Sequence, residues 1–209
     1  MLITKIEKQK KRRGRYSIFL DNEFGFGITD NTLLKFGLRK NDELTEQKID
    51  EIKNYDEFDY AKKYSFDLLS RSPKSEKEIR TKLKQKKISD SNIIKVIDAL
   101  KELKFLDDVN YAKLFVESKL RNNPVGKAVI KNKLREKGIS KELIEESIEN
   151  FYDDAVEEKK AESILLKYMK KKTGDDYYTL KRKCFQHLVS KGFDFDLVNE
   201  LLRKHLEKF

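Results

Sequence analysis

Cys184 and His187 lie three residues apart, a Cys-x-x-His spacing that on a helix puts a thiolate and an imidazole on one face, where both could ligate zinc. A tetrahedral site needs more. His205 is the one further Cys or His in the chain, so a carboxylate or water would have to complete the set. The competing reading is a cysteine filling a core position, with a surface histidine nearby. Asp107-Asp108, Asp153-Asp154 and Asp175-Asp176 are paired carboxylates of the type used for metal binding or acid/base work. Two of these pairs stand where an apolar-periodic stretch begins, and there carboxylates cap exposed amides and suit the helix dipole. Gly25-Phe26-Gly27 lacks the third glycine, the Lys-Ser/Thr and the βαβ setting of a phosphate loop. These residues predict no catalytic centre, no metal site and no cofactor, and the chain is expected not to be an enzyme.

The remaining chemistry is electrostatic. Lys and Arg total 47 against 37 Asp and Glu, and 40% of the 209 residues are charged, where an ordinary soluble domain has about 25%. The formal net charge of +10 is zoned: residues 1–20 hold seven Lys/Arg and one Glu, residues 21–57 five against ten acids, and residues 58–106 thirteen against seven. Beyond that the balance is near even, with nine against eight over 107–152 and thirteen against eleven over 153–209. Zones of this kind suit a polyanion, because each cation that neutralises a phosphate releases condensed counterions. The plainer alternative is that Lys-rich helix faces keep a small core in solution.

The elements that must carry these residues follow from periodicity. Leu, Ile, Val and Phe make up 61 residues, enough for a core but a thin one, and only eight Gly and two Pro are available for turns, which argues for helices with short connections. Shifting the chain by 51 residues superposes Pro73 on Pro124, Tyr60-Ala61-Lys62 on Tyr111-Ala112-Lys113, Ile79 on Ile130, Lys82-Leu83 on Lys133-Leu134 and Ile88-Ser89 on Ile139-Ser140. Over residues 57–101 this gives 13 identities in 45 pairs, a duplicated structural unit. A weaker third copy follows at an offset of 54, with Lys137-Gly138 on Lys191-Gly192 and Leu143-Ile144 on Leu197-Val198.

Within each copy the apolar period of 3.6 is interrupted twice, predicting three helices. They are expected at Glu57 to Ser70, Ser75 to Lys86 and Asp90 to Lys104; at Asp107 to Arg121, Gly126 to Lys137 and Ser140 to Phe151; and at Asp153 to Lys172, Tyr177 to Lys191 and Asp194 to Lys208. Ser75-Glu76-Lys77-Glu78 reads as a capping box, and Gly138 and Gly192 as left-handed C-caps. Ahead of the repeats, Ile3 to Glu7 and Tyr16 to Leu20 alternate with period 2, Asp21-Asn22-Glu23 marks a turn into Phe24 to Ile28, and short helices are expected at Asn31 to Phe36 and Thr45 to Asn54. The expected fold is mainly α. Tandem three-helix repeats, three units and about nine helices, form an elongated curved array behind a small N-terminal β-hairpin-like region. The expected domains are 1–56 (N-terminal extension), 57–106 (repeat 1), 107–152 (repeat 2) and 153–209 (repeat 3). Three-helix units also invite a helix-turn-helix reading, but the candidate recognition helices offer Asn92 and a row of Glu142, Glu145, Glu146 and Glu149, poor readers of bases. One cysteine, no apolar leader after Met1 and no long apolar stretch suggest a reducing cytosol.

The run Ser70-Arg71-Ser72-Pro73-Lys74-Ser75-Glu76-Lys77-Glu78-Ile79-Arg80-Thr81-Lys82-Leu83 and the run Phe105-Leu106-Asp107-Asp108-Val109-Asn110-Tyr111-Ala112-Lys113-Leu114-Phe115 closely resemble signature blocks of the RecX family of recombination regulators. Gly126 with Ile130, Leu134 and Lys137-Gly138-Ile139 resembles that family's second-repeat block. The resemblance spans about residues 57–209, and the N-terminus is similar to an extension found in some members. It implies a cytoplasmic bacterial protein that binds the RecA recombinase filament on DNA, lodges along its groove, and opposes its growth, ATPase, strand exchange and coprotease functions, without catalytic residues or cofactors. A monomer with weak, non-specific contact to single- or double-stranded DNA is expected. The alternative is a stand-alone, non-sequence-specific DNA-binding architectural or regulatory protein. The candidate contact residues are Lys10, Lys11, Arg12, Arg13 and Arg15 at the N-terminal tip, Arg71, Lys74, Arg80, Lys84 and Lys87 on the first repeat, and Arg121, Lys127, Lys131 and Arg135 on the second. Arg71 and Arg80 have Glu76 and Glu78 within reach as intramolecular partners.

Overall fold

The computed structural model describes residues 1–10, 14–122, 124–172, 174 and 176–206. They form two compact units, Met1–Leu106 and Asp107–Phe209. In the first, β1 (Ile3–Lys8), β2 (Arg15–Leu20) and β3 (Glu23–Thr29) make an antiparallel meander in the order β1-β2-β3. Asp21 and Asn22 form the two-residue turn between β2 and β3 with φ of 49° and 71°, the positive pair that matches the strands' twist. The alternating apolar residues Ile3, Ile18, Leu20, Phe26 and Ile28 face one side, where they pack with Leu38, Leu44, Ile49 and Ile52. The helices α1 (Asp30–Phe36) and α2 (Glu46–Leu69) follow, each begun by a threonine whose hydroxyl accepts the amide three residues on.

The expected break between a helix ending at Asn54 and another starting at Glu57 does not exist. α2 runs unbroken for 24 residues, about 36 Å at 1.5 Å per residue, and carries the expected boundary at 56/57 inside it. Its first half lends Ile49 and Ile52 to the sheet's core, and its second lends Ala61 to the core of the first repeat, with Ile79, Leu83, Ile93, Val96, Ile97 and Leu100. Between the two cores lies Asp56, 6% exposed. Its carboxylate accepts from Thr29 N at 2.6 Å and Thr32 Oγ1 at 2.8 Å and pairs with Arg15 Nη2 at 3.1 Å. A buried charge needs such partners, and these pin the helix to the sheet.

α3 (Glu76–Gln85) and α4 (Asp90–Glu102) complete the first repeat. The capping box is present: Glu78 N donates to Ser75 Oγ at 3.3 Å, and Ser75 N donates to Glu78 Oε2 at 3.1 Å. The second unit contains α5 (Asp108–Asn122), α6 (Lys127–Glu136), α7 (Lys141–Phe151), α8 (Asp154–Met169), α9 (Tyr177–Ser190) and α10 (Phe195–Leu206), each within a few residues of its expected span. The described residues thus hold ten helices, with three-helix repeats in tandem. Two cores serve the second unit, one around Ile130, Leu134, Ile144 and Ile148, the other around Leu165, Cys184, Leu188, Val198 and Leu202.

These two repeats meet at a backbone-to-backbone contact. Gly126 N donates to Lys191 O at 2.9 Å, and a Cβ on Gly126 would sit 1.9 Å from Gly192 O. Gly126 occupies the N-cap position that Ser75 fills in the first repeat, and it has no side chain to cap with.

Candidate functional site

The residues with catalytic or metal-binding potential are occupied structurally. Cys184 is buried in the third repeat's core. His187 stacks on Tyr168, ring centroids 4.1 Å apart, and burial, then Lys191 and Lys171, hold its imidazole below its ordinary pKa. His205 Nε2 lies 2.6 Å from Glu162 Oε1, which also binds Lys204 Nζ at 3.0 Å. No group of three or more His, Cys, Asp or Glu side chains that could hold a metal occurs among the described residues. Asp107 accepts the amides of Val109 and Asn110, Asp153 those of Ala155 and Val156, and Asp176 those of Tyr178 and Thr179, so each acts as a helix cap. Asp175 lies outside the described residues. Asn92 is no base reader: it is 1% exposed, and its Nδ2 donates to Asn54 O, Asn54 Oδ1 and Glu57 Oε2.

The candidate cations divide into engaged and available. Lys11, Arg12 and Arg13 lie outside the described residues, and Lys10 is exposed. Arg15 is not at the loop tip: it begins β2 and turns inward, its Nη2 donating to Gly27 O at 3.0 Å besides pairing with Asp56. Arg80 Nε meets Glu76 Oε1 at 2.6 Å, and Lys101 Nζ meets the other oxygen at 2.6 Å. Burial opposes the charge of Glu76, but these two cations outweigh it and keep the carboxyl below its usual range. Lys127 Nζ pairs with Asp154 at 2.5 Å, and Lys131 with Glu145. Lys74 Nζ donates to Ser72 Oγ, Arg135 Nη1 to Asn132 Oδ1, and Lys84 reaches Asp90 at 3.5 Å across an exposed gap worth little. Arg71, Lys87 and Arg121 are exposed on or near the ends of their helices.

Within the first unit, these placements leave a basic cleft of about 660 Å³ where β3, α2 and the turn between α3 and α4 meet, lined by Arg15, Lys53, Lys86 and Lys87 with Asp56 and Glu57. Lys53 and Lys86 were not among the sequence candidates. Each carries its ammonium over an aromatic ring, Lys53 over Phe26 at 5.5 Å and Lys86 over Tyr64 at 5.3 Å. The two carboxylates are taken up from inside: Asp56 as described, and Glu57 by the hydroxyl of Ser89, Ser89 N at 3.2 Å and Asn92 Nδ2 at 2.6 Å. Burial pushes Glu57 up, and those hydrogen bonds more than reverse it, so it stays ionised below the usual range. No signal local to the sequence places these cations together, since residues 15, 53 and 86 come from three separate elements.

Comparison with known proteins agrees with this architecture domain by domain. The family model for the RecX regulatory protein N-terminal domain matches residues 1–45, and those for the first, second and third RecX three-helix domains match residues 61–100, 107–148 and 156–202. The chain is 35% identical over 207 residues to the regulatory protein RecX of Clostridium botulinum (strain Eklund 17B / Type B), covering 97% of this chain and 95% of that one. It is 38% identical over 205 residues to that of Bacillus licheniformis, covering 97% and 76%. A crystal structure described as regulatory protein RecX superposes with a TM-score of 0.71 at 28% identity, covering 100% of this chain and 99% of the other. RecX from Lactobacillus salivarius superposes with a TM-score of 0.67 at 26% identity, covering 74% and 99%. Four domains in the right order, over nearly the whole sequence, show that the chain belongs to the RecX family of regulatory proteins.

Proposed function

We propose that this protein is a cytoplasmic, monomeric modulator of homologous recombination and DNA repair that binds a RecA-type recombinase filament on DNA and restrains its ATP hydrolysis, strand exchange and coprotease activity. The observation that carries this reading is the complete RecX domain series, from the N-terminal domain through three three-helix domains. The charge pattern supports it. Exposed cations at Lys10, Arg71, Lys84, Lys87 and Arg121 alternate with internally neutralised ones, which suits a partner that is part protein and part polyanion.

The test is ATP hydrolysis by the cognate recombinase on single-stranded DNA, together with co-sedimentation of this protein with the filament. Slowed hydrolysis and co-sedimentation support the reading; the absence of both overturns it. Reversing Arg71, Lys74 and Lys84 to Glu is expected to weaken filament binding at unchanged helix content, whereas Arg80→Ala, whose guanidinium already serves Glu76, is expected to act mainly on stability. A stand-alone DNA binder would instead bind naked DNA tightly with a steep salt dependence and leave the recombinase unaffected.

A further inference from the structure

The turn after the second helix of each repeat has the same left-handed residue, at positions 87, 138 and 192 in the sequence register of the repeats. Gly138 and Gly192 each have φ of 83°, a conformation glycine adopts at no steric cost. The first repeat places Lys87 there, with φ of 60°. A side chain held in this region is strained, as Lys104 is at φ of 57°, and strain of this kind is enriched at functional sites. Lys87 is exposed and lines the basic cleft described above.

Three further observations bear on the same cleft. Asp56 is paired with Arg15 and held by Thr29 and Thr32, and Glu57 is held by Ser89 and Asn92, so neither carboxylate pairs directly with Lys53, Lys86 or Lys87, and the cleft keeps a net positive charge. Among the described residues no acceptor pairs those three ammonium groups. Arg15 Nε is a buried donor with no acceptor among the described residues. The cleft is open, and its cations come from α2 and the turn between α3 and α4, so an anion seated there is contacted from more than one element.

We propose that this cleft seats the phosphodiester backbone of a nucleic-acid strand, with Lys53, Lys86 and Lys87 as its phosphate contacts and Arg15, whose charge is met by Asp56, as part of its wall. The proposal deepens the functional reading above and rests on it for the strand's origin in a recombinase filament. Lys contacts of this kind position a strand without reading its bases.

The test is titration of a labelled oligo-dT with the full chain, by fluorescence anisotropy across a salt series. Replacing Lys53, Lys86 and Lys87 together by Gln is expected to weaken binding and to lower the slope of log K against log salt by about 2, from three lost contacts at about 0.7 each. A control with Lys159, Lys167 and Lys170, exposed on or just beyond α8, changed to Gln removes the same charge and is expected to retain the slope. Equal loss in both variants, or an unchanged slope in the first, overturns the proposal. Competition by ATP that matches oligo-dT at equal phosphate concentration overturns it too, in favour of a small-anion pocket. The single variant Lys87→Gly separates function from folding: the strand-binding role expects weaker binding from a more stable protein, and a purely structural role expects the two to move together. Recombinase inhibition by the wild-type protein alongside an unchanged slope sinks the cleft alone. Failure of the wild-type protein to inhibit sinks the functional reading, while the slope still judges the cleft.

Discussion

Replacing Gly126 with alanine should loosen the second unit and leave the first intact. The added Cβ would lie 1.9 Å from Gly192 O, 2.1 Å from Gly192 C and 2.3 Å from Phe193 N, all backbone atoms that no rotamer change can move. Separation to about 3 Å, the shortest approach real Cβ atoms make, requires the α9–α10 turn to retreat by about 1 Å. That retreat breaks the 2.9 Å hydrogen bond from Gly126 N to Lys191 O and disturbs buried Phe193. A lost hydrogen bond costs about 1 kcal/mol and overpacking about 1–3 kcal/mol, so a total near 3 kcal/mol is expected. For a unit of about 100 residues this lowers the midpoint by more than about 10 °C. Hydrogen exchange followed peptide by peptide resolves the effect. Amides of α6, α9 and α10 should exchange about a hundredfold faster, at 1.4 kcal/mol per factor of ten, while those of α4 stay protected. Exchange in α6 and α10 within threefold of wild type would refute the claim that the glycine pair holds these repeats together.

Three other outcomes follow from the same geometry. Lys87→Gly removes left-handed strain and should raise the stability of the first unit by about 1 kcal/mol in urea melts; destabilisation would show that the lysine is not strained. Ser75→Ala deletes the hydroxyl half of the capping box, leaving the residue-75 amide to donate to Glu78, and should cost about 1 kcal/mol, visible as faster exchange of the α3 amides, and unaltered exchange would contradict it. Burial, only partly offset by Tyr152, Lys127 and its amide, holds the pKa of Glu157 above the usual carboxylate value, so the folded protein keeps a proton that the unfolded chain releases. That contribution is full below the unfolded pKa and is lost as pH rises through the folded one. Glu157→Gln should therefore gain on wild type in thermal melts as pH rises from 4 to 7, and a gap independent of pH would refute it.

The repeats were legible because the chain marks them with apolar residues at helical spacing and with prolines and glycines in matching turns. The sheet was legible from alternation and the Asp21-Asn22 turn. The continuity of α2 was not, because the sequence supports one helix ending at Asn54 and another beginning at Glu57, with the charges of Asp56 and Glu57 at the join. Only the fold supplies Arg15, Thr29 and Thr32 to satisfy Asp56, and Ser89 and Asn92 to satisfy Glu57. The same limit applies to the cations. The Arg80–Glu76 pair sits at the helical i,i+4 spacing visible in the sequence, whereas Lys127–Asp154 and Lys131–Glu145 are set by tertiary packing. Gly126 was seen as a helix start, but the reason it is glycine lies 66 positions away at Gly192.

The shared helix α2 makes the N-terminal domain inseparable from the first repeat. A chain trimmed to begin at residue 46 would keep Ile49 and Ile52 but lose the strands that cover them, and Asp56 would lose Arg15, Thr29 and Thr32 together. Such a fragment would open on a greasy stub beside an orphaned carboxylate. The strands are therefore not a detachable handle but half the housing of the rod on which the first three-helix domain is built.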